Sequence, residues 1–360
     1  MLTPLDDYPI HQVAEVMRHT GTSDRNFFDR YYFNCHRCGP DLFLAAGLGQ
    51  YPNLGVVDAF AIVATGGLHH VVRASRELGA DRMDTAVGPF RVEVLEGLKR
   101  LRMVLEPNQW DLDFDLTWEG AIPATREPRH FVRDRERVVF DSVRVAQTGR
   151  WTGTLRVAGE THDVTPDRWW GFRDRSWGVR PVGEPEPAGI RAAGVPQFFW
   201  IYPQMQFADC AILATVQEDR HGGRIAEEAV RVWPESSGRA AEPLGRPEHR
   251  LEIDPGTRAV RGATLAFAPP GGRPFEVRVE PVIPLHLSVG GYGGDATWRH
   301  GAYQGPLTVQ GMTLDPRRDE DRARLVGLVD HLARFTCEGQ VGWGLFEVLV
   351  LGPHEPSGLI

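Results

Sequence analysis

Lysine is almost absent from this chain of 360 residues. Lys99 is the only one, and nearly every other basic residue is arginine. A lysine Schiff-base centre is thereby excluded everywhere but at position 99. Four cysteines, Cys35, Cys38, Cys210 and Cys337, are too few for a disulfide scaffold of this length. No apolar run approaches the roughly 20 residues of a membrane-spanning helix, so no stable membrane insertion is expected. The start, MLTPLDDYPIHQ, lacks the charged-then-apolar order of a signal peptide, and a cytoplasmic protein is the default expectation. A net charge of −8 argues against nucleic-acid partners, which need a basic face. The chain also lacks a phosphate-cradling glycine loop, a His-x-x-x-His pair and a Gly-x-Ser-x-Gly elbow. Nucleotide, metal and serine-hydrolase chemistry are not expected, and no cofactor is implied.

What is present is mostly strand. Between residues 110 and 119 the alternation is strict. Trp110, Leu112, Phe114, Leu116 and Trp118 share one face, and Asp111, Asp113, Asp115, Thr117 and Glu119 share the other. Val139, Asp141, Val143 and Val145 alternate with polar neighbours. Residues 251–279 read as a meander turning at Asp254-Pro255-Gly256-Thr257 and at Pro270-Gly271-Gly272, and a Gly-Gly hairpin is expected between 218 and 224. A helix is predicted over 319–335, where Leu325, Val326, Leu328, Val329, Leu332 and Phe335 recur at helical spacing. A short helix over 13–19 is plausible. The many short strands, with 40 glycines and 27 prolines, predict a mostly β fold. The Pro/Gly/Ala-rich stretch 182–196 reads as a linker. The expected organisation is a 1–24 extension, a 25–185 β module and a 186–360 β module.

Three stretches invite chemistry and are answered by simpler readings. Cys35-His36-Arg37-Cys38 has no second Cys-x-x-Cys pair to complete a zinc site. Asp111, Asp113 and Asp115 lack the glycine and glutamate of a calcium loop, so a solvated strand face is expected. His69 and His70 are adjacent on a strand and point to opposite sides.

The densest stretch is DRWWGFRDRSWGVRP, residues 167–181. If 172–177 is extended, Phe172, Asp174 and Ser176 lie on one face, and Arg173, Arg175 and Trp177 on the other. Asp174 would meet aromatic surface, where desolvation raises a carboxyl pKa. Arg180, past Gly178, could reach either face. The segment reads equally as a glue between two modules and as a ligand pocket with one buried carboxyl group. Asp295, Trp298, His300 and Tyr303, then Trp343, Glu347 and His354, form a second group of polar and aromatic residues on short glycine-bounded segments. Tyr202 joins the binding candidates.

The octapeptide GFRDRSWG at 171–178 resembles the signature of the tandem lipocalin-like superfamily, which includes carotenoid 1,2-hydratases, tocopherol cyclases and Diels–Alderase-type cyclases. Further stretches carry the likeness across most of the chain: HHVVRASREL with DRMDTAVGPFRVEVLEGLKRLRMVLEPN, FDLTWEG, QTGRWTGTLRV, WRHGAYQG and WGLFEVLVLGPHE. Within that superfamily the chain is most similar to an uncharacterised bacterial two-module family. The resemblance implies two packed lipocalin-like antiparallel β-barrel or sandwich modules. It also implies a hydrophobic ligand held in one module or between them, and cofactor-free, proton-driven chemistry. Asp174 falls on the signature's acidic position. Where the hydratases flank it with histidines, this chain has Arg173 and Arg175, whose charge would favour an ionised Asp174.

The expected function is therefore a cofactor-independent lyase, hydratase, isomerase or cyclase acting on a terpenoid, steroid or aromatic. Asp174, Arg173 and Arg175 are its catalytic candidates. Trp170, Trp177, Arg180, Tyr202, His300, Tyr303, Trp343 and Glu347 are its binding candidates. A non-catalytic carrier of a lipophilic ligand is the alternative, and a homodimer stays open.

Overall fold

In the computed structural model, residues 7–9, 14, 18–182, 197–293 and 297–359 are described. The linker stretch 183–196, Asp295 and most of 13–19 lie outside them. The protein is mostly β, built of two large curled antiparallel sheets, a near-barrel and a half-barrel.

The first sheet runs Leu307–Leu314, Leu68–Glu77, Val56–Thr65, Leu42–Tyr51, Phe27–His36, Trp170–Val179, Arg137–Val157, Leu112–Gly120, Arg100–Leu105, Phe90–Glu96 and Ala86–Val87. The second runs Glu242–Pro243, Arg224–Val232, Ala211–Glu218, Phe198–Gln206, Gln340–Leu351, Val329–Cys337, Phe275–His286, Val260–Phe267 and Glu248–Ile253. The edge strand Leu307–Leu314 comes from the second half of the chain yet pairs with Leu68–Glu77 of the first sheet.

Burial explains the sequence patterns. Phe27–His36 and Leu42–Tyr51 are buried at every position, because each covers two cores. Their Tyr31, Phe33, Leu44 and Ala46 fill the first barrel with Trp118 and Trp151. Their Tyr32, Phe43 and Ala45 meet the second sheet. A strand apolar on both faces loses the period of two. Leu112–Gly120 keeps it, since only one face is covered. Leu112, Phe114, Leu116 and Trp118 point inward, and Arg156 and Arg102 pair with Asp113 and Asp115 on the outer face.

The predicted helix is corrected. It spans only Asp319–Arg324, and Val329–Cys337 is an inner strand of the second sheet. Leu332 faces the seam between the sheets, and Ala333 and Phe335 face the second sheet's own core. An apolar run covered on both sides satisfies helical and strand spacing alike. Gly327, at φ +139°, breaks the chain between the two elements.

Candidate active site between the two sheets

The strand Trp170–Val179 lies between Phe27–His36 and Arg137–Val157, with Asp174 opposite Tyr32 on one side and Ala146 on the other. Both signature glycines permit this pairing. A Cβ at Gly171 would stand 2.1 Å from the Asn34 carbonyl oxygen, and one at Gly178, already at φ +129°, 2.1 Å from that of Asp141.

The period of two divides the signature. Arg173 and Arg175 point into the first barrel and are fully buried there. Arg173 donates to Asp7 Oδ1 at 2.6 Å and to Gln147 Oε1 at 2.8 Å. Arg175 pairs with Asp29, which also receives Arg82 at 2.9 Å. Trp177 is on the same side, 5.9 Å from the Arg175 guanidinium. None of the three faces Asp174. The positive charge that Asp174 meets comes instead from Arg144, Arg30 and Arg180.

Asp174 faces the seam between the sheets. Ser176 Oγ donates to its Oδ1 at 3.3 Å. Burial raises its pKa above the usual carboxylate value, and the three arginines oppose that without cancelling it. The surrounding groups cross from sheet to sheet. Tyr32 donates to Asp330 Oδ2, and Tyr202 donates to Glu127 Oε1. Trp200 Nε1 donates to Glu347 Oε1 at 2.6 Å. The Phe172 and Tyr202 rings meet edge-on at 5.8 Å. Arg144 lies 4.6 Å from the Tyr202 ring centre and 5.5 Å from that of Trp200. Glu127, Asp330 and Glu347 are all pushed upward, chiefly by burial. Four carboxyl groups, Asp330 buried and the others half-buried, are thereby poised to hold and move protons.

The binding candidates sort accordingly. Tyr202 and Glu347 stand in the seam, and Trp343 packs against its apolar lining. Arg180 reaches it too, with Nη2 3.3 Å from His300 Nδ1. His300 Nε2 lies 3.0 Å from the Gly290 carbonyl oxygen, which can only accept, so Nε2 carries the proton. Burial keeps this histidine neutral, well below its ordinary pKa. Trp170 is on the Asp174 side but two pairs along, under Arg150. Tyr303 is 59% exposed and bonded to Glu77, away from the seam. His354 is bound to Glu218 at 2.9 Å on the far side of the second sheet.

Two openings lie along the strand that pairs with the Asp174 strand, and Asp174 lines neither. One, of about 40 Å³, is lined by Glu127, Arg144, Trp200 and Glu228. The other, a cleft of about 340 Å³, is lined by Ile122, Thr148, Arg150, Gln206 and Phe207. Arg144 and Arg150 are six residues apart on one strand, roughly 20 Å at strand rise. Asp174, opposite Ala146, falls between them.

Arg30, Arg144, Glu127, Asp330, Tyr32 and Tyr292 were not legible as site residues. Arg30 had a signal, a charge sharing a strand face with Tyr32. Asp330 was hidden in the misread helix.

Two large curled antiparallel sheets thus meet across a polar, aromatic seam. The chain belongs to a family of unknown function, DUF8625, whose model matches residues 2–360. It matches no curated protein sequence. Among solved structures it is similar to a candidate AttH protein from Nitrosomonas europaea, at TM-score 0.56 and 14% identity, over 97% of this chain and 99% of that one. Kievitone hydratase from Nectria haematococca follows at 0.51 and 14%, over 95% and 98%. CghA follows at 0.50 and 11%, over 97% of both chains. At such identities the likeness is one of fold.

Proposed function

We propose that the protein is a cofactor-independent enzyme of the hydratase, lyase, isomerase or cyclase type. It moves a proton on an apolar small molecule held between its two sheets, a terpenoid, steroid or aromatic in class. The observation that carries this reading is the desolvated set Asp174, Glu127, Asp330 and Glu347, enclosed by Tyr32, Tyr202 and Trp200 at the seam. A binding shell alone has no need of several carboxyl groups kept out of water, where each costs free energy unless it is partnered.

Asp174 is the group that exchanges a proton with the substrate. Its three neighbouring arginines stabilise its ionised form, and burial stabilises its neutral form, so the two states lie closer in energy than in water. The aromatic faces of Trp200 and Tyr202, already under Arg144, suit a substrate that develops positive charge. Arg180 would hold a polar handle. Two of the structures sharing this fold are named as a hydratase and as CghA, and the first name agrees with the reaction class proposed.

The test is turnover of a panel of unsaturated terpenoids, steroids and phenolics by Asp174→Asn. A loss of about 10²- to 10⁴-fold is expected with an unchanged circular dichroism spectrum. A variant as active as the parent would remove Asp174 from the reaction.

A further inference from the structure

We propose that Asp330 and Glu347 share one proton, and that Glu347 delivers it to the substrate from the wall opposite Asp174. This rests on the reading of the seam as the reaction site and adds a second proton-handling centre to it.

The argument starts from the strand register. Val329–Cys337 and Gln340–Leu351 are adjacent antiparallel strands, and Asp330 stands directly across from Glu347. Directly opposed like charges destabilise a sheet, the more so with one of the two fully buried. Asp330 is 0% exposed, while Glu347 is partly open. Their hydrogen-bond partners are unequal. Asp330 Oδ2 accepts from Tyr32, but its Oδ1, also buried, meets no donor among the described residues. Glu347 Oε1 accepts the Trp200 indole N–H. Standing directly opposite each other, the two carboxyl groups can hydrogen-bond only with a proton between them, since two carboxylates only accept. One proton removes the like-charge conflict and gives Asp330 Oδ1 its partner. Arg144 stands over Trp200, the indole that donates to Glu347, so Glu347 is the ionised member at rest and Asp330 is the neutral one.

The groups facing the pair agree with this state. Arg144 favours an ionised Glu347, while Asp174 raises both members and Glu127 stands in the same field. Tyr32, Tyr202 and Tyr292 are all held above the usual tyrosine pKa by burial and stay neutral. Asp174 is the carboxyl group with three arginines around it. The two walls therefore differ: the second sheet offers an acid and the first a base, the separation of roles that paired carboxylates need.

The step balances. The proton passes from Asp330 to Glu347. The substrate π pair then forms a C–H bond, and the Glu347 O–H bond breaks with its electron pair left on oxygen. A water molecule or a substrate hydroxyl forms a C–O bond to the cation and gives its proton to Asp174. That proton returns to the pair through solvent. Asp330 touches no substrate and is a positioning residue and proton store.

Infrared difference spectroscopy of the substrate-free protein at about pH 8 tests this. At that pH Asp58, raised to about 6, and Glu228, raised to about 7, are mostly ionised. Parent minus Asp330→Asn is expected to contain a protonated-carboxyl stretch. Parent minus Glu347→Gln is expected to move that band in frequency, because the acceptor has changed. Parent minus Asp174→Asn is expected to contain carboxylate bands only. A difference spectrum for Asp330→Asn with carboxylate bands alone overturns the proposal, as does a protonated band that leaves with Asp174. If Asp330→Asn does not fold, an unshifted band in Glu347→Gln overturns it instead. No substrate enters this measurement, so its outcome is separate from whether the seam reading itself holds.

Discussion

At the scale of single residues, the signature strand carries two unrelated tasks on its two faces. Asp174 looks into the seam, while Arg173 and Arg175 anchor Asp7 and Asp29 inside the first barrel. Breaking such a fully buried pair from one side leaves a charge without its partner, at a cost of about 3–5 kcal/mol. Arg173→Met is therefore expected to lower unfolding stability by about that amount in a denaturant titration, while turnover per folded molecule holds. The face to which each residue belongs was readable from the alternation alone. The partners were not, because Asp7 and Asp29 are far away in sequence and Arg144, Arg30 and Arg180 arrive on three different segments.

Asp58 supplies a pH signature at the same scale. Burial beside Arg30 and the Gly301 amide leaves its pKa raised from 3.8 to about 6. Between those values the folded protein keeps a proton that the unfolded chain has lost, so its contribution to stability falls as pH rises. Above pH 6 the loss is complete. The stability of the parent relative to Asp58→Asn is expected to decline across that window and then level off. A flat difference from pH 4 to 7 would remove the raised pKa.

At the scale of elements, the legible parts were those with one wet face. Leu112–Gly120 and the meander from Glu248–Ile253 to Phe275–His286 alternate visibly, and the Asp254 turn closes with its carboxylate accepting from the Gly256 and Thr257 amides. Val329–Cys337 was misread because two cores erase the polar face that marks a strand. Leu307–Leu314 pairs across to the first sheet, a long-range pairing that no local pattern encodes. Close packing of the signature strand gives a prediction here. Gly171→Ala would drive a Cβ against the Asn34 carbonyl and the Trp151 indole. A loss of about 1–3 kcal/mol is expected from that overpacking, read as a lower melting temperature, and an unchanged melt would contradict the register.

At the scale of the whole molecule, three apolar cores stand in series: the first barrel, the seam and the half-barrel. The outer two are the interiors that a lipocalin-like shell would offer a ligand. In this chain the first is filled by Trp118, Trp151 and Trp169, all within 1% of full burial. The seam is the core that combines aromatic side chains with the carboxyl groups Asp174, Asp330 and Glu347. The mostly β fold and the strand face on which Asp174 lies were within reach of the sequence. The composition of the seam was not, since it is made by residues from both halves of the chain. The central claim is that the carboxyl groups of the seam exchange a solvent-derived proton with a substrate there, and that Asp174 is required for it. Its most direct measurement is turnover in D₂O, with mass spectrometry of the product. The account predicts a single non-exchangeable deuterium on carbon in product made by the parent protein, and no product above background from Asp174→Asn. Product without carbon-bound deuterium, or the same labelled product formed at the parent rate by Asp174→Asn, would contradict it.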